Sequence, residues 1–342
     1  MDSDQQQAKR ERGIAVLFVA LFLLVALWFV SMAIDVGKVM AARTELQAAA
    51  DAAALAGASA IDPVTGVIDQ PLAKARAAAA AASNKAYQST ETAVVIDPEV
   101  DVEFPQPDRV KVTVKRTEDT GNPVVLHFAQ TFGMPTIGVQ ADATAEAQEL
   151  NSICEGMAPF APTNPPGGVG YFTDCDSSYA LKVGAGNSSQ GNFQLLDYPE
   201  CNEDDFSGSG GAAVRYYTEH GYQCCVNLGQ TWLLTEPGNK VGPLQQGLQA
   251  RWDEDTDKTS HCYEDYHGNG KRIFITPIVE TFDVNGKKNV RIVNFAAFFL
   301  NYRPQGSMVQ QGVRGQFIQY VAPGGVSGPP VDTGIYGLHL VE

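Results

Sequence analysis

The segment from residue 253 to residue 264 carries acidic side chains at the spacing of a calcium-binding loop. Carboxylate oxygens are the hard ligands that calcium takes in such loops. They stand at positions 1, 3, 5 and 12 of an EF-hand-like pattern: Asp253, Asp255, Asp257 and Glu264. Lys258 departs from the pattern, because position 6 normally holds the glycine that makes the sharp turn. Two hypotheses follow, a calcium site and a solvated acidic loop neutralised by Arg251 and Lys258.

The cysteines offer a second kind of chemistry, and all six lie after residue 150: Cys154, Cys175, Cys201, Cys224, Cys225 and Cys262. An even number of cysteines in an exported segment indicates disulfide bonds, and six cysteines allow 15 pairings, so the connectivity stays open. A zinc site is disfavoured because no CxxC pair exists and Cys224 and Cys225 are adjacent. We expect these two residues to form separate structural disulfides, with a redox-active vicinal pair as the alternative.

Three further patterns are incomplete as reactive sites. Residues 205–209 fit the D-x-S-x-S string of a von Willebrand A type metal site, but the polar run 199–204 stands where a buried strand should precede it. Residues 325–327 begin the G-x-S-x-G string of serine hydrolases, and Pro329 replaces its last glycine. Zinc-ligating side chains occur without the HExxH spacing at three positions: His261, Glu264 and His267. No complete catalytic constellation is present, so the sequence predicts a protein that is not an enzyme.

The compartment in which these residues lie depends on a long apolar segment near the N-terminus. No charged residue occurs from Gly13 to Ile34, which is 22 positions. A helix of this length covers about 33 Å, enough for the hydrocarbon core of a bilayer. A secretory signal would have a shorter apolar core and a cleavage site soon after it, whereas helix-forming residues continue here. The sequence predicts a transmembrane helix over 14–34.

Basic residues just before this helix set its orientation. Lys9, Arg10 and Arg12 precede the apolar run, so the positive-inside rule keeps residues 1–13 in the cytoplasm. The remainder is then periplasmic or extracellular, and the protein is a single-pass protein of a bacterial inner membrane. Asp35 follows the run directly, and we assign it to the membrane interface. The alternative is a functional carboxylate held within the hydrocarbon, where a charge is costly.

Charge and length restrict the partners and the number of domains. The formal net charge is −15, with 39 acidic and 24 basic residues, which opposes binding to phosphate backbones. Nucleic acid is therefore excluded as a partner, and the lipid bilayer is expected. The 342 residues suffice for two domains.

The pattern after the apolar run predicts an α+β fold. The helix should continue to about Ala60 because the segment lacks proline and is rich in alanine. A second helix is predicted over Leu72–Tyr87, followed by antiparallel strands with alternating apolar residues up to about Leu150. We therefore predict an α+β domain over 35–150 and a mostly β domain, rich in Gly and Pro and containing the cysteines, over 151–342.

Four strings along the N-terminal segment resemble a known family. They are RERG before the apolar run, AIDVG at its outer end, then RTELQ, and ADAAALAGA beyond it, at residues 10–13, 33–37, 43–47 and 50–58. Together they are similar to the TadE/TadG-like proteins of tight-adherence (Flp) pilus assembly. The resemblance implies a pilin-like α+β domain, other pilus-assembly proteins as partners, and no catalytic residues.

One position separates this chain from processed pilins. Those proteins carry a glutamate five residues after the cleaved glycine, and with Gly13 as that glycine the position holds Phe18. We therefore expect an uncleaved helix that anchors the protein permanently. The predicted function is a non-enzymatic, membrane-anchored component of pilus assembly or anchoring. The alternative is an exported binding or adhesion module, with calcium as its one candidate cofactor.

Overall fold

The computed structural model describes residues 2–62, 65–84, 94–163, 179–183, 192–202, 206–229, 232–306, 309, 312–322 and 334–341. The helices of this part are α1 (Asp2–Ala58), α2 (Gln70–Ser83), the 3₁₀ helix η1 (Ala129–Phe132), α3 (Gly211–His220) and α4 (Val241–Glu254). The first strands are β1 (Val102–Gln106), β2 (Arg109–Arg116), β3 (Val124–Val125), β4 (Thr136–Ile137), β5 (Val139–Glu149) and β6 (Ser152–Ile153). The others are β7 (Tyr179–Val183), β8 (Asn192–Asp197), β9 (Val226–Asn227), β10 (Trp232–Pro237), β11 (Ile273–Val279), β12 (Asn289–Phe299), β13 (Gly312–Ile318), β14 (Tyr320–Val321) and β15 (Ile335–Val341). The predicted α+β class, with a mostly β C-terminal part, is confirmed.

Helix α1 is a continuous rod of 57 residues. The helix is rich in Ala, Leu and Val, and it contains no proline. No backbone N–H is therefore missing along its length. The helix ends at Ala58, close to the predicted end at Ala60. Within the described residues, it is the one helix long and apolar enough to cross a membrane.

The second half of α1 buries a stripe of small residues. Five alanines on this stripe are fully buried: Ala49, Ala50, Ala53, Ala54 and Ala58. The stripe packs against strands β2 and β5 and against α2. A Cβ atom at Gly57 would lie 2.9 Å from Cγ1 of Val110 on β2 and 3.6 Å from Cβ of Ala77 on α2. Small side chains therefore let three backbones approach closely, which larger ones would prevent.

Helix α2 is shorter than predicted within the described residues. The carboxylate of Asp69 accepts a hydrogen bond from the N–H of Leu72 and caps the helix. Pro71 occupies the first turn, where its missing N–H costs nothing. The helix ends at Ser83, and the predicted end at Tyr87 lies outside the described residues.

The sheet that covers α1 has the order β1-β2-β5-β15-β14. All its pairs are antiparallel except β14 with β15. Strand β5 alternates buried and more accessible residues along its first half, and Ala141, Ala143 and Ala145 face the core. Strand β15 comes from the end of the chain, so this sheet joins strands from both sides of residue 150. The division into domains 35–150 and 151–342 stays a proposal.

The second large sheet is aromatic where the first is alanine-rich. Its order is β7-β13-β12-β10-β8, and β11 pairs along β12. The largest fully buried apolar side chains of this part are phenylalanines: Phe160, Phe274, Phe295, Phe298, Phe299 and Phe317. Helix α4 buries Leu244, Leu248 and Trp252 on one face, as their four-residue spacing indicates. Helix α3 packs beside it.

We predict that Ala49→Leu destabilises the protein, because three extra carbon atoms do not fit between α1 and its neighbours. Overpacking of this kind costs about 1–3 kcal/mol. Ala48→Leu is the matched control, since Ala48 is exposed on the same helix. Urea unfolding of the full-length chain in detergent would measure both. Equal unfolding free energies for the two variants would contradict close packing at Ala49.

Candidate functional site

The carboxylate of Asp35 binds three consecutive backbone N–H groups of a distant segment. His127 donates to Oδ1 at 2.9 Å, while Phe128 and Ala129 donate to Oδ2 at 2.9 and 2.8 Å. Only 5% of Asp35 is exposed. One side chain at the end of the apolar run therefore fixes the segment that precedes η1.

The start of η1 explains why this carboxylate is needed. The first N–H groups of a helix have no partner within the helix, and a side chain of the capping residue usually accepts from them. Phe128 holds the capping position and has no side chain that can do so. Asp35 supplies the missing acceptor from α1. Lys38 lies one turn further along α1, and its positive charge acts favourably on the carboxylate.

An apolar cleft of about 830 Å³ lies between α1 and the segment Val124–Ile137. We call this segment the β3–β4 loop. The side chains from α1 that line the cleft include Trp28, Phe29, Met32 and Val36. From the loop side it is lined by Leu126, Phe128, Phe132, Met134 and Ile137. The rings of Trp28 and Phe132 meet edge to face, with their centroids 5.3 Å apart. The cleft can accept apolar chains or side chains, and it offers few polar partners.

Three of the four predicted calcium ligands lie in the loop after α4, whereas Asp253 lies in the last turn of α4, and each of the four is hydrogen-bonded to protein groups. Asp253 forms an exposed ion pair with Arg303 at 3.2 Å, and Glu264 accepts from the side-chain amide of Gln316. Asp255 accepts from the Tyr266 hydroxyl and from the N–H of residues 257 and 272. Among the described residues, no group of three or more His, Cys, Asp and Glu side chains is arranged to hold a metal.

Asp257 holds the turn that closes this loop. Its carboxylate accepts from the Ser260 hydroxyl at 2.6 Å and from the N–H groups of His267 and Thr259. These hydrogen bonds hold the pKa of Asp257 well below its ordinary value, because they favour the ionised form. The carboxylate is therefore charged at neutral pH and is already in use as an acceptor.

Arg272 is the main residue of this region that the sequence analysis missed. It is fully buried, and its guanidinium donates to four backbone carbonyls, those of Asp257, Ser260, Leu300 and Asn301. The guanidinium also lies 4.3 Å from the ring centroid of Trp252 and 4.4 Å from that of Phe299. A positive charge thus occupies the centre of the acidic segment. The one sequence signal was a basic pair just before a long buried strand.

The cysteines form separate disulfides, as expected for Cys224 and Cys225. Cys154 is bonded to Cys225, and Cys201 is bonded to Cys224. Cys262 is also disulfide-bonded. Cys175 lies outside the described residues, so its predicted disulfide stays a prediction.

The remaining candidates are placed as follows. The ring of His261 packs on Tyr302. The backbone N–H of His267 donates to Asp257. Asp205 of the D-x-S-x-S string and Ser327 of the incomplete hydrolase string lie outside the described residues.

An apolar helix that runs without a break into a small α+β fold is consistent with membrane anchoring. Residues 13–60 match the family model described as "Putative Flp pilus-assembly TadE/G-like". The match spans the apolar run, Asp35 and the alanine stripe, so the resemblance predicted from the four strings is confirmed over this segment. It indicates involvement in Flp pilus assembly. No curated protein and no solved structure matches the chain.

We predict that Asp35→Asn loosens the start of η1. The amide keeps one acceptor oxygen and turns an N–H₂ group toward backbone donors, so charged hydrogen bonds of about 1.5–3 kcal/mol each are weakened. Hydrogen exchange should become roughly tenfold faster at the amides of residues 127–129 in the full-length chain. Asp142→Asn is the control, because Asp142 is an exposed carboxylate on β5. Unchanged exchange at these amides would contradict the capping role.

Calcium binding to the acidic loop stays a prediction. Titration of the wild-type chain with calcium should give a heat of binding, and Asp253→Asn should abolish this heat. Asp253 suits the test better than Asp255, because its side chain is exposed whereas Asp255 holds the buried hydrogen bonds of the loop. Glu280→Gln, an exposed carboxylate outside the loop, should leave the heat unchanged. The absence of heat with the wild-type chain would rule out the site.

Proposed function

We propose that this protein is a non-enzymatic, membrane-anchored component of Flp pilus assembly or anchoring. The observation that carries the proposal is the coincidence of three features in one helix. The family match, the apolar run and the buried alanine stripe all lie between residues 13 and 60. The helix therefore serves both as anchor and as the central support of the adjoining α+β fold.

Charge and disulfides support the orientation. Basic residues precede the apolar run, which favours a cytoplasmic N-terminus in a bacterial inner membrane. The disulfides Cys154–Cys225 and Cys201–Cys224 lie on the other side of the run and are typical of an oxidising compartment. The folded part then faces the periplasm or the exterior, where other pilus-assembly proteins are its partners.

One observation supports anchoring over incorporation as a processed pilin, and a second supports the membrane span itself. Phe18 stands where a processed pilin has glutamate. The apolar surface of α1 between Phe18 and Ile34 is largely exposed in the isolated chain, as a lipid-facing helix requires. N-terminal sequencing of the mature protein should find the cytoplasmic arm intact, and a start at Ile14 would contradict permanent anchoring.

We predict that deletion of the gene lowers the number of surface filaments and of adherent cells. Wild-type protein should restore both. A chain with residues 1–34 replaced by a cleavable secretory signal should not restore them, because it folds outside the cytoplasm without an anchor. Electron microscopy of filaments and counts of attached cells would measure the result.

Export of the secreted form, checked by formation of its disulfides, is the control for folding. An unchanged number of surface filaments after deletion would contradict the proposal. Equal rescue by the anchored and the secreted forms would instead favour the alternative of an exported binding or adhesion module.

A further inference from the structure

The β3–β4 loop is unusually poor in charge for a segment of an exported fold. Between Asp119 and Asp142 there is no Asp, Glu, Lys or Arg. The loop starts and ends in a short antiparallel pair, with Val124 opposite Ile137 and Val125 opposite Thr136. It is therefore a closed hairpin that projects from the fold rather than a strand of either large sheet.

The tip of this hairpin exposes apolar side chains. Phe132 is 63% exposed and Met134 is 59% exposed. Three more of its apolar residues are also exposed: Val125, Phe128 and Ile137. A contiguous apolar patch on an exported protein marks a surface that meets lipid or another protein.

Several polar groups of the hairpin are hydrogen-bonded within it or to α1. The side-chain amide of Gln130 donates to the carbonyl of His127 at 2.8 Å, and the Thr131 hydroxyl donates to the carbonyl of Phe128 at 2.7 Å. Backbone N–H groups at its two sides also have partners, since Leu126 donates to Pro135 and Met134 donates to Ala129. Asp35 accepts from three more. This internal pairing is what a segment needs where water is absent.

The depth of the hairpin follows from its contact with α1. Trp28 lies within the uncharged run, seven residues before Asp35, which is about 10 Å along a helix. The ring of Phe132 touches the ring of Trp28. If Trp28 lies in the bilayer, Phe132 lies at the same depth. The patch is also continuous with the exposed apolar surface of α1 at Phe29 and Met32.

We propose that the β3–β4 loop inserts into the outer leaflet of the membrane that α1 spans, with Phe132 and Met134 among the lipid acyl chains. The inference rests on the proposed transmembrane anchoring of α1. The protein then holds the bilayer at two places, the helix and the hairpin, and Asp35 ties them together at the interface. Two attachment points fix the tilt of the exported fold against the membrane, which a single helix would leave free to rotate.

Tryptophan fluorescence can test both the span and the hairpin in one series. The full-length chain would be reconstituted into phosphatidylcholine vesicles whose acyl chains carry bromine, a quencher that acts at short range. Trp28 reports on α1 in the wild-type chain. The variant Trp28→Phe gives the background of Trp232 and Trp252, which lie in the second sheet and in α4. The double variant Trp28→Phe with Phe132→Trp exchanges the two rings and moves the reporter to the hairpin.

We expect brominated lipid to quench the wild type, to quench Trp28→Phe much less, and to quench the double variant about as strongly as the wild type. Quenching of the wild type together with background quenching of the double variant and of a second hairpin reporter would overturn the insertion while leaving the span intact. That result would mean that a protein partner or solvent covers the patch. Background quenching of the wild type itself would overturn the span and the insertion with it.

A second reporter guards against misfolding of the exchanged pair. Trp28→Phe with Met134→Trp places a tryptophan at another exposed position of the hairpin and leaves Phe132 in place. Circular dichroism of each variant should match the wild type. Quenching absent from both hairpin reporters, with the wild type quenched, would reject the proposal.

Discussion

The carboxylate of Asp35 joins the end of the apolar run to the α+β fold through three backbone N–H groups. The carboxylate and the N–H groups each supply the hydrogen-bonding partner that the other lacks. A carboxylate near hydrocarbon is costly unless it is hydrogen-bonded, and the first N–H groups of η1 lack an acceptor in their own segment. The interaction therefore fixes the position of the β3–β4 loop against α1, and the apolar cleft exists because of it. The position of Asp35 at a membrane interface stays a prediction.

The second constraint on α1 is that the side chains on its packed face must be small. The alanine stripe and Gly57 let the helix lie close to both α2 and the sheet, so that contact comes from many backbone and Cβ atoms rather than from large side chains. Gln47 adds a direct hydrogen bond from α1 to the carbonyl of Asp142 on β5 at 3.1 Å. Because α1 has no break between the apolar run and this stripe, the orientation of the apolar run and that of the fold are set by the same helix.

The sequence was sufficient wherever a local pattern carries the physics. An uncharged run of 22 residues, a proline-free alanine-rich stretch and the spacing of Leu244, Leu248 and Trp252 each identify a helix without tertiary information. It was insufficient where the partner is backbone. No pattern in residues 127–129 predicts that their N–H groups donate hydrogen bonds to Asp35. Arg272 could not be predicted either, because it binds backbone carbonyls, which every residue has. The pairing of the cysteines likewise depends on distances that spacing does not encode.

The pairing of β15 with β5 in the first sheet could not be predicted from the sequence pattern either. This pairing affects the order in which the protein folds. Residues of β5 and β15 that pair directly, such as Ala145 and Leu340, are separated in the sequence by all the strands of the second sheet. Pairing over such a separation is slow, because a long loop must close before any contact forms. The sheet that covers α1 is complete only when β15 has joined it. Until then α1 can pack on β2, β5 and α2, but β5 presents an unpaired edge. The first sheet thus depends on β15, while the link at Asp35 needs only residues up to 129 and can form earlier.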